Sequence, residues 1–267
     1  MSALALAVTG VLGQMGKRLV TAIAEREDLR LVGGTLKAGH LGLGQDIGLL
    51  VGLGPLNILA TDQPQDAIKG AQVLVDFTSP AALNAHIKAV LAAKIPIVVG
   101  TTGLGAAELA LLNEASREIP VLWAPNMSLG VNLLYKLVEL AARSLGEFDL
   151  EILEAHHKRK KDAPSGTALK LAQILVDSRK TQKTRLVTGR EGLVGPRQPE
   201  EIGVLALRGG DIVGEHTVYF CGQGERLELT HRAQSRDTFV AGALRAAQWL
   251  AERPKGLYSI DDVLGLS

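Results

Sequence analysis

The sequence predicts an α/β protein of two domains, a parallel-sheet domain followed by an α+β domain. Three observations support this fold class. Continuous apolar strands alternate with amphipathic helical segments in the first half, glycine-rich turns follow several of those strands, and closely spaced strands fill the second half. A chain of 267 residues, 46% of them hydrophobic, is long enough for both domains.

The first half repeats a strand–helix pattern. Apolar runs without turn residues indicate strands that are buried on both faces, as in a parallel sheet. The predicted strands cover residues 3–8, 29–33, 57–60, 73–77, 95–99 and 121–123, and the predicted helices cover residues 18–25, 64–69, 81–93 and 106–117.

After Pro125 the pattern changes. A long helical stretch over residues 129–145 leads to a strand that ends near His156, and another helix begins at Thr167. Gly-containing turns, without helices, separate the next strand-like segments, and this spacing predicts a mostly antiparallel sheet. These segments are residues 184–188, 202–208, 215–221 and 226–231.

A final amphipathic helix is predicted over residues 237–251, with Phe239, Leu244, Ala247 and Leu250 on its buried side. We expect a nucleotide-binding domain at residues 1–126 and an α+β domain at residues 127–236. The segment 237–267 is expected to pack back on the first domain.

Composition argues against several classes of protein. Aromatic residues make up only 3% of the chain, and the net charge is +1, so a general nucleic-acid surface is not expected. Cys221 is the only cysteine, which excludes an intrachain disulfide, and its strand-like setting predicts a buried core thiol. Neither end carries a recognisable signal peptide or apolar span, so we expect a soluble, cytoplasmic protein without a membrane partner.

A glycine pattern follows the first predicted strand directly. Gly10, Gly13 and Gly16 form G-x-x-G-x-x-G between that strand and the first helix. Glycines at such a turn allow the backbone to approach a pyrophosphate at a helix N-terminus, which favours dinucleotide binding over an ordinary glycine-rich turn.

The segment after the second strand bears on the choice of dinucleotide. NAD-binding domains place an acidic residue there to hold the ribose 2′-hydroxyl, but no Asp or Glu occurs before Asp46. Lys37 could instead contact a 2′-phosphate, although a solvated lysine is the simpler interpretation. The pattern favours NADPH.

Two further segments follow strands at the same predicted sheet edge. Thr101 and Thr102 come after the strand at residues 95–99, and Ala124, Pro125, Asn126 and Met127 come after the next strand. Ligands of open α/β sheets bind along the carboxyl edge, so both segments are candidates for a shared nicotinamide site.

The segment 154–167 carries the chemistry. His156 and His157 stand in front of a cationic run that contains Lys160, and a Pro-Ser-Gly-Thr turn opens the next helix. Imidazoles exchange protons near neutral pH, an ammonium group can hold or protonate an anion, and helix N-terminal amides bind negative charge. Together these groups indicate a site for a small acidic molecule that undergoes proton transfer.

Several separated motifs in this order resemble one family, the 4-hydroxy-tetrahydrodipicolinate (dihydrodipicolinate) reductases of lysine and diaminopimelate biosynthesis. The resemblance covers nearly the whole chain. It is carried by Gly10 to Gly16, Asp76-Phe77-Thr78, Gly100-Thr101-Thr102-Gly103, Asn126 with Gly130-Val131-Asn132, the segment 154–167, Arg208 with residues 210–216, and Glu228 to His231.

The resemblance implies a Rossmann-like domain, a substrate-binding and oligomerisation domain with an open mixed sheet, and a homotetramer. It implies that His156 and Lys160 are the acid/base residues, with Lys160 donating the proton that accompanies hydride transfer. His157, Gly166 and Thr167 would bind the carboxylates of a cyclic dicarboxylate. The nicotinamide cofactor would be held by Gly10, Val11, Leu12, Gly13, Gln14, Met15, Gly100, Thr101, Thr102, Ala124, Pro125, Asn126 and Met127. Lys37 would join this set as a contact to the 2′-phosphate of NADPH.

One position departs from the family pattern. Members that use NADH as well as NADPH carry an acidic residue before the basic one after the second strand, and Leu36 stands there before Lys37. We therefore expect NADPH to be preferred, with NADH weaker.

Two other functions remain alternatives, a relative that acts on an aspartate-derived aldehyde or amino acid and a non-catalytic NADP-binding sensor. A metal site on His156, His157 and His231 is disfavoured by the surrounding cations, so no metal is expected.

Overall fold

The computed structural model describes residues 3–179 and 184–266, and these divide into two compact units. The first unit comprises the described residues up to Leu129 together with those from Asp237 onward. The second comprises the described residues of Gly130–Arg236. The functions that the sequence assigns to the two domains stay predictions at this point.

The first unit contains a six-stranded sheet in which every strand pairing is parallel. Its strands are β1 (Leu4–Thr9), β2 (Leu29–Gly34), β3 (Val73–Asp76), β4 (Ile97–Val99), β5 (Pro120–Trp123) and β11 (Gly256–Tyr258). Their order in the sheet is β11-β5-β4-β3-β1-β2. The central strands are buried along their length, as their apolar sequences predict.

Helices complete this unit: α1 (Gln14–Ala24), α2 (Ile47–Val51), α3 (Pro64–Ala67), α4 (Pro80–Ala93), α5 (Ala106–Ala115), α8 (Asp237–Leu250) and α9 (Ile260–Leu264). Two apolar clusters form because alternate residues of a strand point to opposite faces of the sheet. Leu6 and Val8 of β1 lie in the cluster that contains the apolar sides of α1 and α8, and Ala7 lies in the cluster with α4 and α5.

The second unit contains a five-stranded mixed sheet of β6 (Asp149–His156), β7 (Arg185–Val187), β8 (Glu201–Arg208), β9 (Gly214–Cys221) and β10 (Arg226–Ala233). The order is β10-β9-β6-β8-β7. Ile152, Val204, Val218 and Phe220 are buried in one cluster with the apolar sides of α6 (Leu129–Ser144) and α7 (Gly166–Ser178). The sheet therefore has one face covered by helices.

The predicted α/β class is confirmed, and some of the local predictions are wrong. Residues 57–60 form only an isolated bridge, between Leu59 and Asp46, because the Asp46 carboxylate accepts from the amides of Leu56 and Ile58 and holds this stretch as a loop. The second sheet is not mostly antiparallel, since β6–β8 and β7–β8 are parallel pairs. Cys221 is only partly buried, because its side of β9 faces away from the helices.

None of the helices in the described part of the chain combines the length and apolar character that a membrane crossing requires.

Candidate active site

In the first unit, the glycine turn lies where the strand order reverses. The chain leaves β1 for β2 on one side and returns to β3 on the other, so the turns after β1 and β3 diverge at the carboxyl edge. This is the position at which open α/β sheets bind ligands.

The backbone of the glycine turn requires glycine at two positions. Gly10 has a φ of +65°, and a Cβ on Gly16 would stand 2.1 Å from the Gly10 carbonyl oxygen. Thr35, just after β2, fixes the turn: its hydroxyl accepts from the Gly10 amide at 3.1 Å, and its carbonyl accepts from the Val11 amide at 3.0 Å. The turn leads into the N-terminus of α1, which fits the close approach of a dinucleotide pyrophosphate.

A cavity of about 530 Å³ lies beside this turn. Its lining includes nine of the predicted cofactor residues, namely Gly13, Gln14, Met15, Gly100, Thr101, Thr102, Pro125, Asn126 and Met127. The remaining lining residues, Phe77, Thr78 and Phe239, were not assigned to a cofactor from the sequence. Phe77 and Thr78 could have been found, because they follow a predicted strand at the same edge.

The other predicted cofactor residues do not line this cavity. The side chains of Val11 and Ala124 are buried, and Gly10 and Val11 already donate their amides to Thr35. Leu12 is partly buried against the core. Lys37 is exposed on the loop after β2, and its neighbour Leu36 is buried in the core.

The buried carboxylate of Asp76 is hydrogen-bonded to Thr78 of the cavity wall. Asp76 has no exposed surface, and its Oδ1 accepts from the Thr9 and Thr78 hydroxyls, both at 2.7 Å. Burial raises the pKa of Asp76, but the nearby His86 imidazole and the two hydroxyls outweigh it and hold the pKa below its usual value. The Thr78 amide in turn donates to the Thr101 hydroxyl at 2.9 Å, so the wall is a connected network.

In the second unit, the predicted site segment connects β6 to α7. The strand ends at His156, so His156 and His157 are not held to the alternation of a continuing strand. Ser165 is the N-cap of α7, and its hydroxyl accepts from the Ala168 amide at 3.2 Å. The connecting loop carries Lys160.

Glu154 is the most connected carboxylate of this segment. It has no exposed surface, and it accepts from His156 Nδ1 at 2.6 Å and from the Ser165 amide at 3.0 Å. Arg208 on β8 donates to both of its oxygens at 2.7 Å. Burial raises the pKa of Glu154, but hydrogen bonds from Arg208 and His156 outweigh it and hold the pKa below its ordinary value, so the group is ionised.

The imidazoles of His156 and His216 lie next to each other, and both are largely or fully buried. Burial lowers the pKa of His156, although Glu154 opposes this, and burial lowers the pKa of His216 to about 4. The rings meet edge to face with centroids 5.2 Å apart, and His216 Nε2 lies 3.0 Å from the Ser165 hydroxyl. Both imidazoles are therefore neutral at pH 7.

Lys160 is held by an acidic neighbour. Its Nζ lies 2.9 Å from each carboxylate oxygen of Asp162, and the lysine side chain is 19% exposed. An ammonium ion in this position can exchange an exposed carboxylate for that of a ligand.

The predicted anion-binding residues follow in the same segment. Gly166 and Thr167 form the first turn of α7, where helix amides have no intrahelical acceptor. His157 is partly buried, and its Nδ1 is a buried atom without a hydrogen-bond acceptor or donor among the described residues. His156, His157, Lys160, Gly166 and Thr167 thus all lie between the end of β6 and the first turn of α7, and their roles stay predictions.

The sequence analysis gave no role to Glu154 and Arg208. Glu154 could have been noticed, since it lies two residues before His156 on a strand and therefore on the same face. Arg208 is 54 residues away in sequence, and only the parallel pairing of β6 with β8 brings it close.

Comparison with known proteins follows the same division of the chain. Residues 4–127 match the family model "Dihydrodipicolinate reductase, N-terminus", and residues 130–264 match "Dihydrodipicolinate reductase, C-terminus". A 4-hydroxy-tetrahydrodipicolinate reductase of Myxococcus xanthus is 49% identical over 97% of this chain and 96% of its own. One from Syntrophotalea carbinolica is also 49% identical, over 97% of this chain and 98% of its own.

A solved structure is similar over nearly the same length. It is a dipicolinate-bound dihydrodipicolinate reductase from Paenisporosarcina sp. TG-14, 26% identical, with a TM-score of 0.76 over 96% of this chain and 97% of that one. The chain therefore belongs to the dihydrodipicolinate reductase family, and it is an NAD(P)H-dependent oxidoreductase with 4-hydroxy-tetrahydrodipicolinate reductase activity in lysine biosynthesis.

Proposed function

We propose that the chain carries out this reduction with NADPH in preference to NADH, with Lys160 as the proton donor. The observation that carries the proposal is the segment between β6 and α7. It holds an ammonium group, two imidazoles and the amides of a helix N-terminus together in one unit. These are the groups that a cyclic dicarboxylate under reduction requires.

The first unit holds the dinucleotide in this proposal. The cavity beside the glycine turn combines backbone amides with the half-buried ring of Phe77 and the Thr101 hydroxyl. Asn126 and Met127 lie at the next strand end of the same edge. Lys37 is exposed in the loop after β2, and no Asp or Glu follows it in the sequence before Asp46. A lysine in this setting is suited to contact with a 2′-phosphate.

The second unit holds the substrate. The related Paenisporosarcina enzyme binds dipicolinate, a planar cyclic dicarboxylate, and we infer the same class of ligand here. One carboxylate is bound by the amides of Gly166 and Thr167 with the Thr167 hydroxyl. His157, whose buried Nδ1 has no acceptor or donor in the described residues, contributes to binding the dicarboxylate.

The nicotinamide, when bound, supplies the hydride. Lys160 is ion-paired with the exposed carboxylate of Asp162, and a substrate carboxylate can replace that partner. Lys160 then donates the proton to the ring. His156, neutral at pH 7 with its Nδ1 on Glu154, orients and polarises the substrate and is the second acid/base group.

The assembly in this proposal is a homotetramer in the cytoplasm, formed through the second sheet. Leu153 and Leu207 are 36% and 47% exposed, and alternation places them on the face away from the helices. Apolar side chains that are exposed on a sheet face are suited to burial against further copies.

A coupled assay tests the cofactor preference. Purified protein is given substrate made in the cuvette from pyruvate and aspartate semialdehyde by the preceding synthase, and oxidation of NADPH and NADH is compared. We expect the higher kcat/KM with NADPH. Lys37→Ala is expected to reduce the preference by about tenfold, as for loss of one charged contact. Lys88→Ala, which removes an exposed lysine from α4, is the matched control. An equal or better kcat/KM with NADH would refute the preference.

A further inference from the structure

We propose that Glu154 is a positioning residue for proton transfer, which fixes the protonated nitrogen of His156 and ties it to the Lys160 loop and to the start of α7. The inference rests on the proposed roles of His156, Lys160 and the α7 N-terminus. Glu154 itself does not touch the substrate in this scheme and acts through the groups it holds.

Every bond of the Glu154 carboxylate leads to a different part of the site. Oε1 accepts from Arg208 Nη2 at 2.7 Å and from the Ser165 amide at 3.0 Å. Oε2 accepts from Arg208 Nη1 at 2.7 Å and lies 2.6 Å from His156 Nδ1. A fully buried ion pair is by itself weak evidence for a stabilising role, because desolvation offsets much of the attraction. The placement of its partners is therefore the informative feature.

The contact with His156 determines its tautomer. An ionised carboxylate can only accept, so the hydrogen of the neutral imidazole must reside on Nδ1. Nε2 is then the nitrogen with a lone pair, and it lies next to Gly214, where a Cβ would come within 3.1 Å of it. Without Glu154, nothing among the described contacts of Nδ1 would select this tautomer.

Arg208 extends the network to the lysine loop. Besides the two Glu154 oxygens, Arg208 Nη2 donates to the Asp162 carbonyl at 2.8 Å, and the Asp162 carboxylate holds Lys160. The loop is also fixed to the end of β8, because the Gly209 amide donates to the His156 carbonyl at 2.9 Å. Movement of Glu154 would therefore be transmitted to Lys160 through three successive contacts, Glu154–Arg208, Arg208–Asp162 and Asp162–Lys160.

Ser165 connects the same carboxylate to the anion-binding turn. Its amide donates to Glu154, while its hydroxyl caps α7. The positions of the Gly166 and Thr167 amides thus depend on the carboxylate that also orients His156. One buried group sets the relative geometry of the acid/base residues and the carboxylate site.

The test uses the full chain labelled with ¹⁵N in its histidines and replaces the buried pair together, Glu154→Met with Arg208→Met, so that no unpaired charge remains buried. Nitrogen chemical shifts report the tautomer of His156, whose signals are assigned by their loss in His156→Asn. Glu151→Gln is the matched control, because Glu151 is an ion-paired carboxylate on the opposite face of the same strand. Urea unfolding followed by circular dichroism checks that each variant is folded, and titration with NADPH checks that its cofactor site is intact.

We expect the wild type and the control to show His156 protonated on Nδ1, and the double variant to lose this preference. We expect its kcat to fall by about 10²-fold to 10⁴-fold, as when an acid/base imidazole is misoriented, with NADPH affinity unchanged. Retention of the Nδ1–H tautomer, or an unchanged kcat, would overturn the inference. The tautomer of His156 is measured without substrate and therefore tests the role of Glu154 independently of catalysis. A wild type that is inactive in the coupled assay would instead count against the proposed function.

Glu154→Asp is measured alongside, because it keeps a charge opposite Arg208 but withdraws the carboxylate from His156 by one methylene. We expect it to lose about tenfold in kcat, between the wild type and the double variant. If the double variant does not fold, this variant decides: wild-type kcat with an unaltered His156 signal would overturn the inference.

Discussion

The buried imidazole of His216 makes the stability of the chain sensitive to mild acid. His216 is 4% exposed, and burial lowers its pKa from 6.5 to about 4. The charges and titratable groups that face it are Glu154, His156, His231 and Lys160. A histidine with a lowered pKa stabilises the fold fully above pH 6.5, where folded and unfolded chains are both neutral, and this contribution is lost as the pH falls toward 4.

The magnitude follows from the two pKa values. A change from 6.5 to about 4 is a roughly 300-fold loss of proton affinity, which corresponds to about 3 kcal/mol. Most of this stabilisation is already lost at pH 4.5, because His216 is protonated there in the unfolded chain but is largely neutral in the folded protein. We therefore expect the wild type to lose about 2.5 kcal/mol through this group between pH 7.5 and pH 4.5.

The measurement is urea unfolding at both pH values, followed by circular dichroism. His216→Gln keeps a side-chain amide near the Ser165 hydroxyl but does not titrate, so its stability should fall by about 2.5 kcal/mol less than that of the wild type. His40→Gln removes an exposed imidazole and serves as the control. Equal losses for the wild type and His216→Gln would refute this account of the buried imidazole.

Three further outcomes are expected. Lys160→Ala should lower kcat by about 10²-fold to 10⁴-fold in the coupled assay with unchanged NADPH affinity, and a parallel loss of NADPH binding would mean that the site is misplaced. Gly16→Ala should weaken NADPH binding at least about tenfold by calorimetry, because its Cβ meets backbone at 2.1 Å, whereas Gly54→Ala enters open space and should bind normally. Asp76→Asn should lower the free energy of urea unfolding at pH 7 by about 3 kcal/mol, because two hydroxyls lose a buried charged acceptor. Since the pKa of Asp76 is lowered, the wild type keeps this stabilisation above the ordinary Asp pKa and loses it in acid. An unchanged free energy of unfolding at pH 7 would contradict this prediction.

Sequence patterns were most informative where a short stretch determines its own environment. The apolar runs of β1, β3 and β4 predicted a parallel sheet because such strands are buried on both faces, and the fold class is confirmed. The segment 154–167 carried the family resemblance, which the two family models and the reductase relatives confirm. The roles of the individual residues in that segment stay predictions.

Patterns failed where a distant part of the chain decides the outcome. Residues 57–60 have the composition of a strand, but the carboxylate of Asp46, the N-cap of α2, accepts from the amides of Leu56 and Ile58. β11 has only three residues and becomes a strand by pairing with β5, which lies more than 130 residues before it. The direction of β8 could not be derived from spacing, because spacing does not tell at which end of β6 the chain re-enters the sheet.

Local sequence patterns were sufficient to predict the alternation of strands and helices, the glycine turn at residues 10–16 and the order of chemical groups from His156 to Thr167. These depend on local spacing, and the backbone periods of helices and strands convert spacing directly into position. The groups that support the site became apparent only in three dimensions: Thr35 beside the glycine turn, Asp76 behind the cavity wall, and Arg208 and His216 beside Glu154 and Ser165. These contacts join elements far apart in sequence, and they exist because sheet order and register bring strand ends together, which no local pattern encodes.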